Sequence, residues 1–328
     1  MGKSKIVTGS ILFALIFLQA PICSAVFKKA TLILQWVPQA QFSGYYVARE
    51  LGLYKKFGID LTIISGGPDR PPSEFLRDHK ADFASLWLSS GLQMRSDGIK
   101  AVNIAQIVQR SALMLVAKKS GGIRTLRDID GKKVGLWGPV FQIQPKALFK
   151  KFDLKVTVIP QSFTLNLFLR DGVQLASAMW YNEYHTLLSS GLNPDELVTF
   201  FFHEYGLNFP EDGIYTLEDT LEKDADLCKA FVEASLEGWS YGFAHPEKAL
   251  DIIMNILKKE HVPASRIHQK WMLDRMKDLI LPEDERAPTG RLFPKDFFRV
   301  ASELNKSQLI SEIPDFNAFH KNLRMNEK

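Results

Sequence analysis

From about residue 30 onward the chain alternates short apolar runs with amphipathic ones. Thr31–Gln35, Asp60–Ile64 and Asp82–Leu86 read as strands. Between them lie a helix over Phe42–Lys56 that ends near Gly58 and a short helix from Ser73 to Asp78, and Ser89–Ser96 reads as the next helix. Val102–Val108 and Leu113–Ala117 are two further apolar, β-branched runs. The cycle then restarts, with strands at Lys133–Leu136, Val156–Ile159, Leu175–Met179 and Leu197–Phe201 and helices over Ile143–Phe152, Thr164–Arg170 and Glu183–Ser190. Strand–helix–strand repeats of this length imply parallel sheets with helices on both faces, and the repeat runs twice. An α/β protein of two lobes is therefore predicted. After Leu217 the pattern turns helical, over Asp224–Phe243, Pro246–Glu260, Ala264–Leu279 and Pro294–Asn305. This tail is expected to wrap the first lobe. The lobes are assigned as 26–117 with 215–328, and 118–214, with hinges near Lys118–Gly122 and Tyr205–Tyr215.

The first 25 residues do not belong to this pattern. Lys3 and Lys5 precede an apolar stretch from Ile6 to Leu18, and small residues close the segment at Cys23-Ser24-Ala25. That order is that of a secretory signal peptide, with cleavage near Ala25. The stretch is short for a membrane span. An uncleaved anchor and a lipid on Cys23 are the alternatives, and Pro21-Ile22 is a poor context for the lipid. A periplasmic or otherwise extracytoplasmic location follows. Loss of Lys3 and Lys5 takes the formal net charge from +4 to +2, which argues against a nucleic-acid partner. Cys228 then remains as the single cysteine, so neither a disulfide framework nor a CxxC pair is expected.

The tryptophans carry the candidate chemistry. Trp36, Trp87, Trp137 and Trp180 each directly follow a predicted strand, whereas Trp239 and Trp271 fall in helices. Ligands bind outside the carboxyl ends of strands in open parallel sheets, so four indoles from two lobes would face one crevice. They suit a planar ring, or a cation held against π faces. Plugging of the sheet edges by each indole is the competing account. Gln35, Gln39 and Gln41 surround Trp36 and lead to a helix start at Ser43, Gly44 and Tyr45, a polar contact point. Ser65-Gly66-Gly67 ends a strand where glycine lets backbone approach a ligand, or simply makes a turn. Ser89 and Ser90 follow Trp87 and either cap a helix or bond a ligand. The densest cluster is Trp180-Tyr181-Asn182-Glu183-Tyr184-His185. Asn182 there is a candidate N-cap. Glu183 suits either the helix dipole or a ligand's N–H groups or positive charge, and His185 reads as a surface or packed residue. Tyr45, Tyr181 and Tyr215 are candidate wall residues.

Enzyme signatures are absent: there is no GxSxG, P-loop, GxGxxG or HExxH, and the seven histidines are dispersed without metal spacing. The stretch from Leu34-Gln35-Trp36-Val37-Pro38 through Gly44-Tyr45-Tyr46-Val47-Ala48, followed by Glu50-Leu51-Gly52-Leu53-Tyr54 and Phe57-Gly58-Ile59-Asp60-Leu61, is familiar. So are Asp82-Phe83-Ala84, Leu126-Arg127-Asp128-Ile129-Asp130-Gly131-Lys132-Lys133-Val134-Gly135, and Met179-Trp180-Tyr181-Asn182-Glu183-Tyr184. Over roughly residues 30 to 260 the chain resembles the thiamine-pyrimidine-synthase-like (NMT1/THI5-like) family of periplasmic substrate-binding proteins.

The resemblance implies a type II, two-lobe, hinge-closing fold and an ABC permease and ATPase as partners. It also implies a thiamine-precursor aminopyrimidine as ligand, with riboflavin, aliphatic sulfonates and nitrate bound by other branches. A carboxylate in the crevice would repel the anions. Where family members carry an acidic residue and Asn near the start, this chain has Gln35 and Gln39. The fungal enzyme branch uses pyridoxal phosphate and a histidine and carries a cysteine-rich run that is missing here. The expectation is a monomeric binding protein, without catalysis, metal or cofactor. An enzyme in the same cleft and a sensory module are the other classes.

Overall fold

The computed structural model describes residues 1–2, 26–283 and 290–324. The expected signal peptide, with Cys23, lies from residue 3 onward outside these residues. No helix among the described residues is long and apolar enough to cross a membrane.

The strands are β1 (Lys28–Ile33), β2 (Ile59–Ile64), β3 (Phe83–Trp87), β4 (Ala101–Gln106), β5 (Leu113–Lys118), β6 (Lys133–Leu136), β7 (Thr157–Pro160), β8 (Leu175–Met179), β9 (Leu197–Phe201) and β10 (Asp212–Leu217). They form two five-stranded sheets, in the orders β2-β1-β3-β10-β4 and β7-β6-β8-β5-β9. In each sheet the first three strands run parallel, and one returning strand, β10 or β5, pairs antiparallel on both sides. The parallel strands need crossover connections, which explains the helix after nearly every strand. Strands β3, β4, β8 and β10 are buried along their whole length. Burial on both faces is why these segments read as apolar runs rather than alternating ones.

The first sheet exchanges strands with the second, and this corrects the expected lobe boundary. β5 lies in the second sheet, although the sequence reading ended the first lobe at residue 117. A continuous apolar run identifies a buried strand but not the sheet that buries it. The chain therefore crosses between sheets before Leu113, and it returns between β9 and β10. The two crossing segments are pinned together. Glu211 Oε1 accepts from Ser111 Oγ (3.0 Å) and from the backbone N–H groups of Ala112 (2.6 Å) and Leu113 (3.3 Å). Asn208 accepts from the Ser111 N–H at 2.9 Å and donates to the Gln109 carbonyl at 2.9 Å.

The tail helices, Ala225–Ala244, Pro246–Lys259, Arg266–Ile280 and Pro294–Lys306, occur where the helical pattern placed them. Ala225–Ala244 packs on the helix Ser43–Glu50, so closely that a Cβ on Gly44 would lie 2.3 Å from the Trp239 ring. The predicted helix Phe42–Lys56 is broken in two, because Gly52 takes the left-handed conformation (φ 72°) that ends one helix and starts the next at Leu53.

Candidate functional site

A cavity of about 190 Å³ opens between the sheets. From the first sheet's side it is lined by Gln35, Trp36, Gln39, Gln41 and Trp87; from the second's by Trp137, Phe141, Phe163, Met179, Tyr181, Asn182 and Glu183. These residues follow β1, β3, β6, β7 and β8 or end them, so the cavity sits at the carboxyl ends of the parallel strands. Aromatic pairs span the gap. Trp36 meets Phe163 with centroids 5.1 Å apart, and Trp87 meets Phe141 edge-on at 4.9 Å. Trp137 lies edge-on to the same Phe141 at 5.6 Å, with its indole N–H donated to the Ser162 carbonyl at 3.2 Å. The walls are thus flat, apolar and positioned by their own contacts.

The polar floor is made of acceptors and amides. Gln39 Nε2 donates to Gln41 Oε1 at 2.5 Å, and Gln41 Nε2 donates to Asp212 Oδ2 at 2.6 Å. Asp212 is deeply buried, which raises its carboxyl from 3.8 to about 7, against the Gln41 bond that lowers it. Glu183 is half-buried at the cavity wall. Its Oε2 accepts from the Met179 N–H (2.9 Å) and its Oε1 from Asn182 Nδ2 (2.8 Å). Desolvation outweighs these bonds and raises Glu183 from 4.5 to about 7. Gln35 Oε1 is buried without a hydrogen-bond partner among the described residues. Burial, and then the nearby Glu211, Asp212 and Glu183, hold the Tyr181 hydroxyl well above its ordinary range and so protonated. Such a surface accepts hydrogen bonds and favours positive charge.

The sequence-predicted residues divide. Trp36, Gln41, Trp87, Trp137, Tyr181, Asn182 and Glu183 come together at the cavity. The others do not. Trp180 turns away, stacking edge-on against Phe201 at 5.5 Å and lying under the Arg275 guanidinium at 4.7 Å. Tyr45, with Ser43 and Gly44, is buried against the Ala225–Ala244 helix, its ring 5.9 Å from that of Trp239, so this helix start faces a neighbouring helix. Ser65, Gly66 and Gly67 form the loop behind Trp36. The Gly66 N–H donates to the Trp36 carbonyl at 3.1 Å, and a Cβ there would lie 2.0 Å from the Leu34 oxygen. The close approach that needs glycine is backbone on backbone. Ser89 is buried inside a helix that begins at Leu88, and that helix start has no side-chain cap. Tyr215 packs within the first lobe on Phe319. Asn182 does not cap its helix, because its side chain is drawn to Glu183 and to His268 Nε2, 2.8 Å from its Oδ1. Phe141, Phe163 and Met179 are lining residues that the sequence reading did not single out. The two phenylalanines sit outside regular strands, where no periodicity marks them; Gln35 and Gln39 are marked in the sequence by their nearness to Trp36.

Residues 39–249, well over half of the chain, match the family described as NMT1/THI5 like. The chain belongs to the NMT1/THI5-like family. Among curated relatives, the riboflavin-binding protein RibY of Chloroflexus aurantiacus is 25% identical over 73% of this chain and 69% of its own length. A putative thiamine biosynthesis protein of Haemophilus influenzae is 22% identical over 68% of this chain and 71% of its own. The 4-amino-5-hydroxymethyl-2-methylpyrimidine phosphate synthase of Legionella pneumophila is 27% identical, over 35% of this chain and 36% of its own. Among solved structures, the periplasmic aliphatic sulphonate binding protein SsuA of Escherichia coli superposes with a TM-score of 0.69 at 14% identity, covering 92% of this chain and 94% of that one. A ligand-binding component of an ABC-type import system from Staphylococcus aureus gives 0.65 at 12% identity, covering 92% and 99%. The fold is that of the two-lobe periplasmic binding proteins, as the family resemblance implied.

Proposed function

We propose that the protein is an exported solute-binding subunit of an ABC importer that captures a small, amino-bearing planar heterocycle, a thiamine-precursor aminopyrimidine. The observation that carries the reading is a half-buried carboxylate, Glu183, on the wall of a cavity walled by three indoles and two phenyl rings. The rings give a thin ligand two apolar faces to lie between. Glu183 and Gln35 Oε1 supply acceptors for its N–H groups, and Tyr181, which keeps its proton, supplies a donor for a ring nitrogen. The Gln39–Gln41–Asp212 chain holds the opposite amide in register. Closure about the two crossing segments would bury the ligand and hand it over on opening.

Size separates this reading from its neighbours. About 190 Å³ lies below the roughly 300–1,000 Å³ usual for drug-sized ligands, which favours one ring over the three of a flavin. A sulfonate or nitrate would meet a carboxylate and no compensating lysine or arginine among the residues that line the cavity. The synthase names among the relatives favour a catalytic reading. Against it, among the described residues no lysine lines the cavity to hold a pyridoxal group and no histidine lines it to be consumed.

Calorimetric titration with 4-amino-5-hydroxymethyl-2-methylpyrimidine, riboflavin and an alkanesulfonate tests the proposal. Tight binding of the pyrimidine alone is expected. Saturable binding of riboflavin or the sulfonate without the pyrimidine overturns the ligand class. Release of product from pyridoxal phosphate, or a covalent pyridoxal adduct in the mass spectrum, overturns the binding-protein reading.

A further inference from the structure

A second set of contacts joins the lobes beside the cavity. On the helix Arg266–Ile280, His268, Trp271 and Arg275 follow at spacings of three and four and so share one face. All three touch the segment Trp180–His185 of the other lobe. His268 Nε2 lies 2.8 Å from Asn182 Oδ1, and its Nδ1 lies 3.0 Å from His185 Nδ1. Trp271 Nε1 donates to the Trp180 carbonyl at 3.0 Å. The Arg275 guanidinium carbon sits between two indoles, 4.7 Å from the Trp180 ring and 4.8 Å from the Trp271 ring. The same helix also grips the first lobe's cavity segment. Gln269 Oε1 accepts from the Ala40 N–H at 2.7 Å, and Met272 Sδ accepts from the Gln41 N–H at 3.2 Å. One helix therefore fixes Gln41 on one side of the cavity and Asn182 on the other.

The protonation of the pair follows from its partners. Asn182 Nδ2 donates to Glu183, so Asn182 Oδ1 is an acceptor and His268 must carry its proton on Nε2. Neutral His268 then accepts at Nδ1, and His185 donates there. A first added proton is accommodated by moving the hydrogen on His185 to Nε2. A second leaves two N–H groups and two positive charges facing each other 3.0 Å apart. Burial holds both imidazoles below their ordinary 6.5, and for His268 the neighbouring His185 adds to this. The remaining groups on the elements around them are occupied elsewhere. Lys270 pairs with Asp274 and Arg275 with Asp278; Arg266 takes Glu247 and Asp251 of the preceding helix. On the facing helix Glu183 is bonded to Met179 and Asn182, Ser189 Oγ lies 3.4 Å from His185 Nδ1, and Tyr184 lies against Trp271. No ion pair between either imidazole and a carboxylate occurs among the described residues.

We propose that the His268–Trp271–Arg275 face is the latch that closes the cleft, that His268 is the positioning residue for Asn182 and through it Glu183, and that doubly protonating the histidine pair releases the latch. The role given to Asn182 and Glu183 rests on the binding-site reading; the latch itself does not. Acidification would open the cleft and lower its grip on ligand.

The test uses small-angle scattering of the purified, ligand-free chain between pH 8 and pH 5, with His268→Gln, His268→Ala and His185→Gln. Glutamine donates to Asn182 without titrating. The wild type is expected to show a radius of gyration that rises on acidification with a midpoint below pH 6.5. His268→Gln and His185→Gln should hold the compact value at both ends, and His268→Ala the larger value at both. A wild-type radius that does not change with pH overturns the latch, as does a glutamine variant that follows the wild-type curve or an alanine variant that is compact at pH 8. Circular dichroism confirms that each variant is folded, and the His185 variant carries the test if His268 variants are not. Calorimetry with 4-amino-5-hydroxymethyl-2-methylpyrimidine reads the ligand assignment separately, so its failure leaves the scattering result standing.

Discussion

The two sheets share one strand order but not one environment. In the first, the tail helices cover the sheet, and Phe83 stacks on Phe231 of the Ala225–Ala244 helix with centroids 3.9 Å apart. In the second, the edge strand β7 is largely exposed, and Phe163 beyond it is 57% exposed. The second lobe nevertheless supplies most of the cavity wall and, among the described residues, the only carboxylate on it, Glu183. On the proposed reading the first lobe is the scaffold and the second the reader. Cavity-lining side chains on the less covered lobe can move without disturbing a packed core.

Core truncation should separate the lobes most sharply. Phe83→Ala is expected to cost about 3–5 kcal/mol, seen as a large loss in chemical-denaturation midpoint. Phe163→Ala, removing an exposed ring, should change stability by less than about 0.5 kcal/mol. Next comes the join between lobes. Glu211→Ala strands the Ala112 N–H, while Ser111 Oγ keeps its contacts to Gln144 and the Leu113 N–H keeps Ser111 Oγ, and should cost about 1–3 kcal/mol; Glu211→Gln keeps an acceptor and should cost less.

At the cavity, Glu183→Gln should weaken an amino-bearing ligand more than tenfold, since a charge-assisted bond contributes about 1.5–3 kcal/mol. Unchanged affinity by calorimetry would remove Glu183 from the site. Because Glu183 titrates near 7, affinity in the wild type should fall as pH drops below 7, and this dependence should weaken in the glutamine variant. The smallest effect concerns pH and stability. Burial raises Glu211 to about 8, with Asp212 adding to it, and raises Asp212 to about 7, both above their ordinary 4.5 and 3.8. Their contribution is fully present below the ordinary values near 4 and is lost progressively as pH rises from there through 7 to 8. The ligand-free Tm should therefore fall modestly from pH 6 to pH 8, and less in Asp212→Asn. A Tm that rises over this range would contradict the assignment.

Much of the fold was legible from period and punctuation. Buried parallel strands leave continuous apolar runs, and helix faces leave a 3.6-residue spacing, so the two sheets and the long tail helices could be placed. β5 could not be assigned to its sheet, because pairing partners distant in sequence leave no local mark. The site divided along the same line. Trp36, Trp87 and Trp137 were recoverable because strand ends in parallel sheets open toward ligands. Trp180 has the same local signature and points elsewhere, since Arg275 and Phe201, far along the chain, compete for its ring. Tyr45, Ser65, Gly66, Gly67, Ser89 and Tyr215 were polar or flexible enough for a site, yet each is used up in packing that only the assembled elements reveal. The sequence by itself determined the element types, the family and the chemical character of the cleft, because these depend on residue identity and short spacings. Only the tertiary structure decided which side chains face the cavity and that His268 meets His185 and Asn182. Those contacts join residues more than 80 positions apart, and closing such loops is decided by the whole fold's packing rather than by any local preference.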